Sequence, residues 1–315
     1  MSDSRRLTGI WETRERNPLI GAFLLIFAIG AVYFIVQAVL LNGVIIIDTV
    51  RDPEGAGEVY ERYQWLILGV LTATQYGLLL LLSLLIIRRW HTRQLVRYLT
   101  LDRLSVPGLI ATTVGALALL PLVDLLARYL YSLIPGLESL DTGMGSLLTA
   151  DTLGGQLFIY FAVAVTPAVC EEVLFRAYFQ RTLERRIRSP WHFLISGAVF
   201  ALFHQQVLTL PSLVLVGVFL SYMYFAFQSP WVTIAAHFAY NGIQIFLVNY
   251  NRPIPGIITE AGFTPAALIA GTAIAATTVV FAEASRRRTG VGDTRTASAT
   301  DAAPPVAPPP QAPES

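Results

Sequence analysis

The sequence predicts an all-α fold: a polytopic transmembrane helical bundle of about eight spans, built around a four-helix core. Three observations lead there. The chain of 315 residues is 54% hydrophobic and only 14% charged, against about 25% charged residues in an ordinary soluble domain. Its apolar residues gather into runs of about 20, the length that crosses a bilayer. Its basic residues, all of them arginine, cluster in alternate loops between those runs. With so few charges the chain cannot cover its own surface in water, so membrane lipid is its first expected partner. A net charge of +1 gives no bulk attraction to nucleic acid, and none is expected as a partner.

Taken in order, the spans run from about Pro18 to Leu41, Trp65 to Ile87, Val106 to Ile134 and Gln156 to Phe179. Three closely spaced ones follow, Pro190 to Val207, Pro211 to Phe227 and Pro230 to Val248, and a last one covers Pro265 to Ala282. The fifth and sixth are the shortest. The first is too long for the apolar core of a signal peptide and reads as a retained span. Arginines cluster before the first span, between Arg88 and Arg103, between Arg181 and Arg188, and at Arg286–Arg288; the intervening loops carry Asp48, Asp52, Glu54, Glu138 and Asp141. By the positive-inside rule every arginine cluster faces the cytoplasm, which gives a multi-pass cell-membrane protein with both termini inside.

The chain divides accordingly into a cytoplasmic segment (1–17), N-terminal transmembrane helices (18–153), the core (154–250), a last transmembrane helix (251–285) and a Pro/Ala-rich tail (286–315) whose composition predicts disorder. Ser189-Pro190-Trp191 and Ser229-Pro230-Trp231 each read as a serine N-cap, a proline at the first helical position and an interfacial tryptophan. The one cysteine, Cys170, excludes an internal disulfide and reads as a small buried residue.

Ionisable residues inside spans cost roughly 2.5–3.5 kcal/mol each on insertion scales, so each calls for a reason. Asp124 and Arg128 stand four apart on one helix face, as do Glu172 and Arg176; both read as internal ion pairs. Glu171 lies about 100° around the helix from Glu172 and has no partner on its own helix. A spare carboxylate of this kind suits a polar site where it exchanges protons. Pro167 lacks the N–H that would serve the carbonyl four residues earlier. His237 and Asn241 project from one face of the seventh helix, and His204 closes the fifth. Together these residues bring a carboxylate, two imidazoles and a carboxamide to three apolar helices, the parts needed to activate water and stabilise an oxyanion. His91 and His192, each beside a tryptophan, read as interfacial.

Glu171-Glu172-Val-Leu-Phe-Arg176 has the spacing E-E-x-x-x-R, Phe200-Ala-Leu-Phe-His204 that of F-x-x-x-H, and His237-Phe-Ala-Tyr-Asn241 that of H-x-x-x-N. In that order, on consecutive helices from about Gln156 to Asn249, they resemble the CPBP family, which groups type II CAAX prenyl endopeptidases with bacteriocin-processing and immunity proteins. The resemblance implies an intramembrane endopeptidase with a peptide or membrane-protein substrate. Glu171 would be the general base, His204 would help hold the water, His237 and Asn241 would stabilise the oxyanion, and Glu172 and Arg176 would support the site. The alternative is a non-catalytic scaffold or bacteriocin immunity protein that uses the same polar network structurally.

For metal, Glu171, His204 and His237 have the composition of a catalytic zinc site, whereas the compact H-E-x-x-H motif is absent; metal-free catalysis is the reading taken. Counting about 1.5 Å per residue from the arginine-bearing ends puts Glu171 roughly 15 Å deep and His237 roughly 11 Å, which suggests access from the cytoplasmic half. His204 counts to roughly 21 Å, two turns deeper, so something in the fifth helix must close that gap.

Overall fold

Inside a bilayer a backbone must bond to itself, and a long apolar run does so as a helix. The computed structural model follows this rule throughout; it describes residues 9–52, 59–133, 145–205, 209–250, 253–259 and 262–290. A short α1 (Ile10–Thr13) precedes α2 (Pro18–Arg51), α3 (Gln64–Trp90), α4 (Val106–Ser132) and α5 (Leu153–Glu184). Then come α6 (Trp191–Leu202), α7 (Leu210–Phe227), α8 (Pro230–Tyr250), a two-stranded hairpin of β1 (Ile258–Thr259) and β2 (Gly262–Phe263), and α9 (Pro265–Thr289). Most of the tail, 291–315, lies outside the described residues.

Among the described residues seven helices are long and apolar enough to cross a membrane, and the chain is a multi-pass membrane protein. The expected fifth span is the exception. At 12 residues, α6 is about 18 Å long against a hydrocarbon core of about 30 Å. It packs antiparallel to α7: His192, near its start, packs with its ring 4.7 Å from that of Phe225 near the end of α7. The hairpin closes on two glycines. A Cβ on Gly197 would meet the Val218 nitrogen at 2.5 Å, and one on Gly217 would meet the Gly197 carbonyl oxygen at 2.6 Å. A hairpin brings the chain back to the end it left, so the short α6 does not disturb the parity read from the arginines.

The arginine-bearing segments do meet at one end of the bundle. Trp11 stacks on Trp90 at 4.8 Å, Arg185 lies over the Tyr98 ring, and Trp231 Nε1 donates to the Leu101 carbonyl at 2.9 Å. At the opposite end Arg62 pairs with Asp48 and Asp52, Gln64 donates to the carbonyls of Ser146, Leu147 and Thr149, and Asn249 donates to that of Leu148.

Three local expectations are corrected here. His91 and His192 sit near the arginine-rich end but are buried in protein, His91 between Glu12 and Tyr178 and His192 against Phe225. The first Ser-Pro-Trp segment does not cap with its serine: α6 begins at Trp191, after Pro190, without a side-chain cap; in the second, the Ser229 hydroxyl donates to the Arg103 carbonyl at 2.7 Å. Asp124 and Arg128 do pair, at 2.8 Å, but the arginine is half exposed and reaches Gly262 of the hairpin.

The most buried of the seven spans, α5, has a ladder that changes register twice, with π-helical turns at Tyr160–Val165 and Val173–Gln180. Pro167 accounts for the first. It has no N–H for the Val163 carbonyl, and both the N–H and the hydroxyl of Thr166 turn to the carbonyl of Phe161, five residues back.

Candidate active site

Between the two π-helical turns, α5 presents Glu171 and Glu172 on adjacent faces. Glu172 is fully buried, and its Oε1 accepts from Arg176 Nη1 at 3.1 Å and from His237 Nδ1 on α8 at 2.9 Å. Arg176, also fully buried, places its guanidinium carbon 4.1 Å from the Phe200 ring centre and donates through Nη2 to the Gly217 carbonyl at 3.3 Å. The bare backbones of the α6–α7 hairpin bring that carbonyl within reach. The predicted Glu172–Arg176 pair therefore has a second purpose. A carboxylate only accepts, so His237 donates from Nδ1 and turns Nε2 away from α5.

Glu171 sits otherwise. Its Oε2 has no hydrogen-bond partner and lies 3.9 Å from His204 Nε2, too far for a direct bond. His204 Nδ1 is 3.0 Å from the Phe200 carbonyl oxygen. Since a carbonyl only accepts, that nitrogen carries a proton, and Nε2 is left facing Glu171.

The depth gap between the two histidines is closed by the end of α6. The helix stops at Leu202, Gln205 takes a left-handed conformation (φ 53°), and His204 lies in the turn between them. The Phe200 ring then packs against both imidazoles, 4.8 Å from His204 and 5.9 Å from His237. Sequence reasoning used Phe200 only to fix a spacing; here it is the spacer between the two rings and the acceptor that orients one of them.

Asn241 lies one turn beyond His237 on α8. Its Nδ2 donates at 3.0 Å to the Val163 carbonyl, the one that Pro167 leaves without a donor. One of its two amide hydrogens is thus committed to α5, and the other remains for chemistry. His204, His237 and Asn241 line a cavity of about 540 Å³. Tyr240 and Gln244 also line it, which the sequence reading missed. The signal was present, since His237, Tyr240, Asn241 and Gln244 follow the i, i+3, i+4, i+7 pattern of one helix face. Glu171 is not among the lining residues, but its Oε2 lies 3.9 Å from Nε2 of His204, which does line it.

The three-ligand set expected for zinc does not gather. Among the described residues no three His, Cys, Asp or Glu side chains converge to hold a metal ion.

Residues 153–243 match a protein-family model described as Type II CAAX prenyl endopeptidase Rce1-like. The matched stretch opens with α5 and closes two residues past Asn241, so it holds every candidate site residue. The resemblance carried by the three motifs is borne out over this stretch as that of a CPBP-family intramembrane protease. Neither the curated proteins nor the solved structures gave a match.

Proposed function

On the premise that residues 153–243 form a CPBP-family intramembrane protease core, we propose that the protein is an endopeptidase that hydrolyses a peptide bond with water activated by Glu171. The observation that carries this is the facing pair of acceptors. Glu171 Oε2 and His204 Nε2 lie 3.9 Å apart, and a water molecule has two hydrogens to give, one to each. Held that way, it turns its lone pairs toward the cavity.

Chemistry then follows from proton positions. The water oxygen attacks the carbonyl carbon of the bound peptide, and Glu171 takes the water proton as general base. The oxyanion accepts from the free amide hydrogen of Asn241 and from His237 Nε2. Because Nδ1 already donates to Glu172, His237 serves this role as the doubly protonated ring. Arg176 offsets the charge of Glu172 and holds its position. Collapse of the intermediate breaks the C–N bond, and Glu171 returns the proton to the leaving amine. No metal enters the scheme. By the positive-inside rule both termini lie in the cytoplasm.

The test compares membranes carrying the wild-type protein or Glu171→Gln at equal accumulation, by mass spectrometry of newly formed peptide termini. Specific termini that vanish with Glu171→Gln support hydrolysis and identify the substrates. If no terminus changes while a cellular phenotype persists in both, the network is structural and a scaffold or immunity role replaces this proposal.

A further inference from the structure

Away from the histidines, the last helix leaves a second cleft in the wall of the bundle. α9 packs tightly on α4 through small residues: a Cβ on Gly271 would collide with the Ala118 carbonyl, and one on Gly115 with the Thr278 hydroxyl. Beside that seam a cleft of about 340 Å³ opens between α7 and α9, with the buried side chains of Leu119, Phe219 and Ala275 among its walls. It extends from Leu215 and Thr272 to Tyr222 and Val279, roughly 10 Å along each helix. Its walls offer hydrocarbon and no spare hydroxyl. The Thr272 hydroxyl donates back to the Leu268 carbonyl at 2.8 Å, and that of Tyr222 donates to Glu283, beyond the cleft, at 3.0 Å.

Charge gathers at one end only. Glu283 stands one turn past Val279 and also accepts from Arg286, at 2.8 and 2.9 Å, and from Arg287, at 2.7 Å. One carboxylate thus meets three successive arginines, Arg286 to Arg288, and positive charge is left over. Arg287 gives Nε to Glu283 yet its side chain stays 74% exposed, and Arg288 is exposed as well. Depth places this end. Counted from Pro265, the cleft lies roughly 10–21 Å along α9, and Arg286 roughly 32 Å along it. With a hydrocarbon core of about 30 Å, the cleft crosses the midplane into the arginine-side leaflet, and the arginines stand at its headgroups.

We infer that this cleft is a lipid site: it seats one acyl chain of an anionic phospholipid of the cytoplasmic leaflet, with the phosphate on Arg287 and Arg288. The inference does not depend on the hydrolytic reading, since the cleft shares no lining residue with the cavity at the histidines. Size selects the chain. A volume of about 340 Å³ over that length leaves a cross-section of roughly 30 Å², well under the roughly 80 Å² of a helix 10 Å across. An acyl chain fits where a helix of a second copy does not. Chemistry selects the headgroup. A guanidinium grips a phosphate through paired N–H donors, and the surplus positive charge favours a lipid with net negative charge over a zwitterionic one.

The test uses the full chain, reconstituted in vesicles of equal parts phosphatidylglycerol and phosphatidylcholine, extracted in mild detergent and weighed by native mass spectrometry. Wild type is expected to retain one phosphatidylglycerol about tenfold more often than one phosphatidylcholine, the order expected of one or two interfacial charges. Arg287→Gln with Arg288→Gln, two exposed positions, should bring the two lipids close to parity. Ala276→Trp fills the cleft from its open side and should abolish retention of either lipid, with thermal unfolding showing that the variant is folded. Equal retention of both lipids by wild type overturns the inference, as does an unchanged preference in the arginine variant. Retention by folded Ala276→Trp at the wild-type level puts the lipid elsewhere and also overturns it. A lipid-free dimer that Ala276→Trp splits would make the occupant a second copy and replace the lipid. If Ala276→Trp does not fold, the arginine variant decides alone.

Discussion

Two adjacent carboxylates on α5 live in opposite surroundings. Glu172 shares one oxygen between Arg176 and His237 in a fully buried cluster, whereas Glu171 meets His204 across 3.9 Å with no direct hydrogen bond. Both donors share one oxygen of Glu172, and a buried carboxylate engaged in this way fixes whatever donates to it. A carboxylate held by none can still take a proton. The cluster around Glu172 therefore sets the geometry of His237, and Glu171 carries the reactivity. Phe200 keeps the two apart, with its ring against both histidines and its carbonyl on His204.

The sharpest way to break this comparison is to neutralise each carboxylate in turn. Glu171→Gln is expected to lower cleavage by the reconstituted protein by ~10²–10⁴-fold, the usual reach of general acid–base catalysis, with thermal unfolding in detergent unchanged. Loss of both together would place Glu171 in the structural cluster and sink the distinction. Glu172→Gln should show the reverse emphasis. It leaves Arg176 buried without its counter-charge, which costs ~3–5 kcal/mol when one member of a buried pair is removed. The double variant Glu172→Leu with Arg176→Met should regain folding stability while activity stays lost, because His237 no longer has an acceptor at Nδ1. Chemical denaturation and the cleavage assay, run side by side, separate the two effects.

The sequence made this division partly legible. The carboxylate with no i+4 partner was visible as Glu171, and the paired one as Glu172, because helix periodicity alone decides which residues can meet on one helix. Contacts between helices were not visible in that way. That His237 completes the Glu172 cluster depends on how α8 packs against α5, and the Gly197–Gly217 approach that lends Arg176 a carbonyl depends on the α6–α7 hairpin. The long spans were legible because a bilayer demands about 20 apolar residues. The short α6 was not: Val207 and Leu208 restore apolar character after the polar His204-Gln205-Gln206, so the sequence alone reads through the turn that ends the helix at Leu202. The π-helical turn after Tyr160 had its signal in Pro167, read as a freed carbonyl, but the donor that claims that carbonyl, Asn241, lies 78 residues away in the chain. Burial of His91 and His192 was missed because a histidine beside a tryptophan at a span end looks the same whether it faces lipid headgroups or protein.

Asn241 bridges the two halves of the comparison, since one amide hydrogen serves the fold and the other is assigned to the oxyanion. Asn241→Leu should cost ~1–3 kcal/mol for a buried carbonyl left unpaired, along with activity. Adding Pro167→Ala supplies an N–H to the Val163 carbonyl from within α5. The double variant should therefore recover stability but not cleavage. If Pro167→Ala restores cleavage as well, Asn241 has only a structural role and the oxyanion is stabilised by other groups.

The smallest effect comes from a second carboxylate–histidine pair, placed outside the spans. Glu12 Oε1 lies 2.7 Å from His91 Nδ1, and His91 Nε2 lies 3.2 Å from the Tyr178 hydroxyl on α5. The hydrogen bond to His91 holds the Glu12 carboxyl below the usual carboxylate range, against the opposing effect of partial burial and with help from Arg185 and Arg186. The folded protein thus binds a proton at Glu12 less readily than the unfolded chain does. The stabilisation from this pair is fully present above the ordinary carboxylate value and is lost as pH falls through the lowered one. Because Glu12 is partly open to water, its worth is that of a surface pair, ~0.2–1 kcal/mol. Thermal unfolding of wild type and Glu12→Gln should differ by this small margin at pH 7 and converge in acid, and a margin unchanged down to pH 3 would show that the contact stabilises without charge. The buried Glu172–His237 pair, with a buried arginine beside it, should give a far larger difference from the same chemical change, which ties the contrast between the two pairs to burial rather than to residue type.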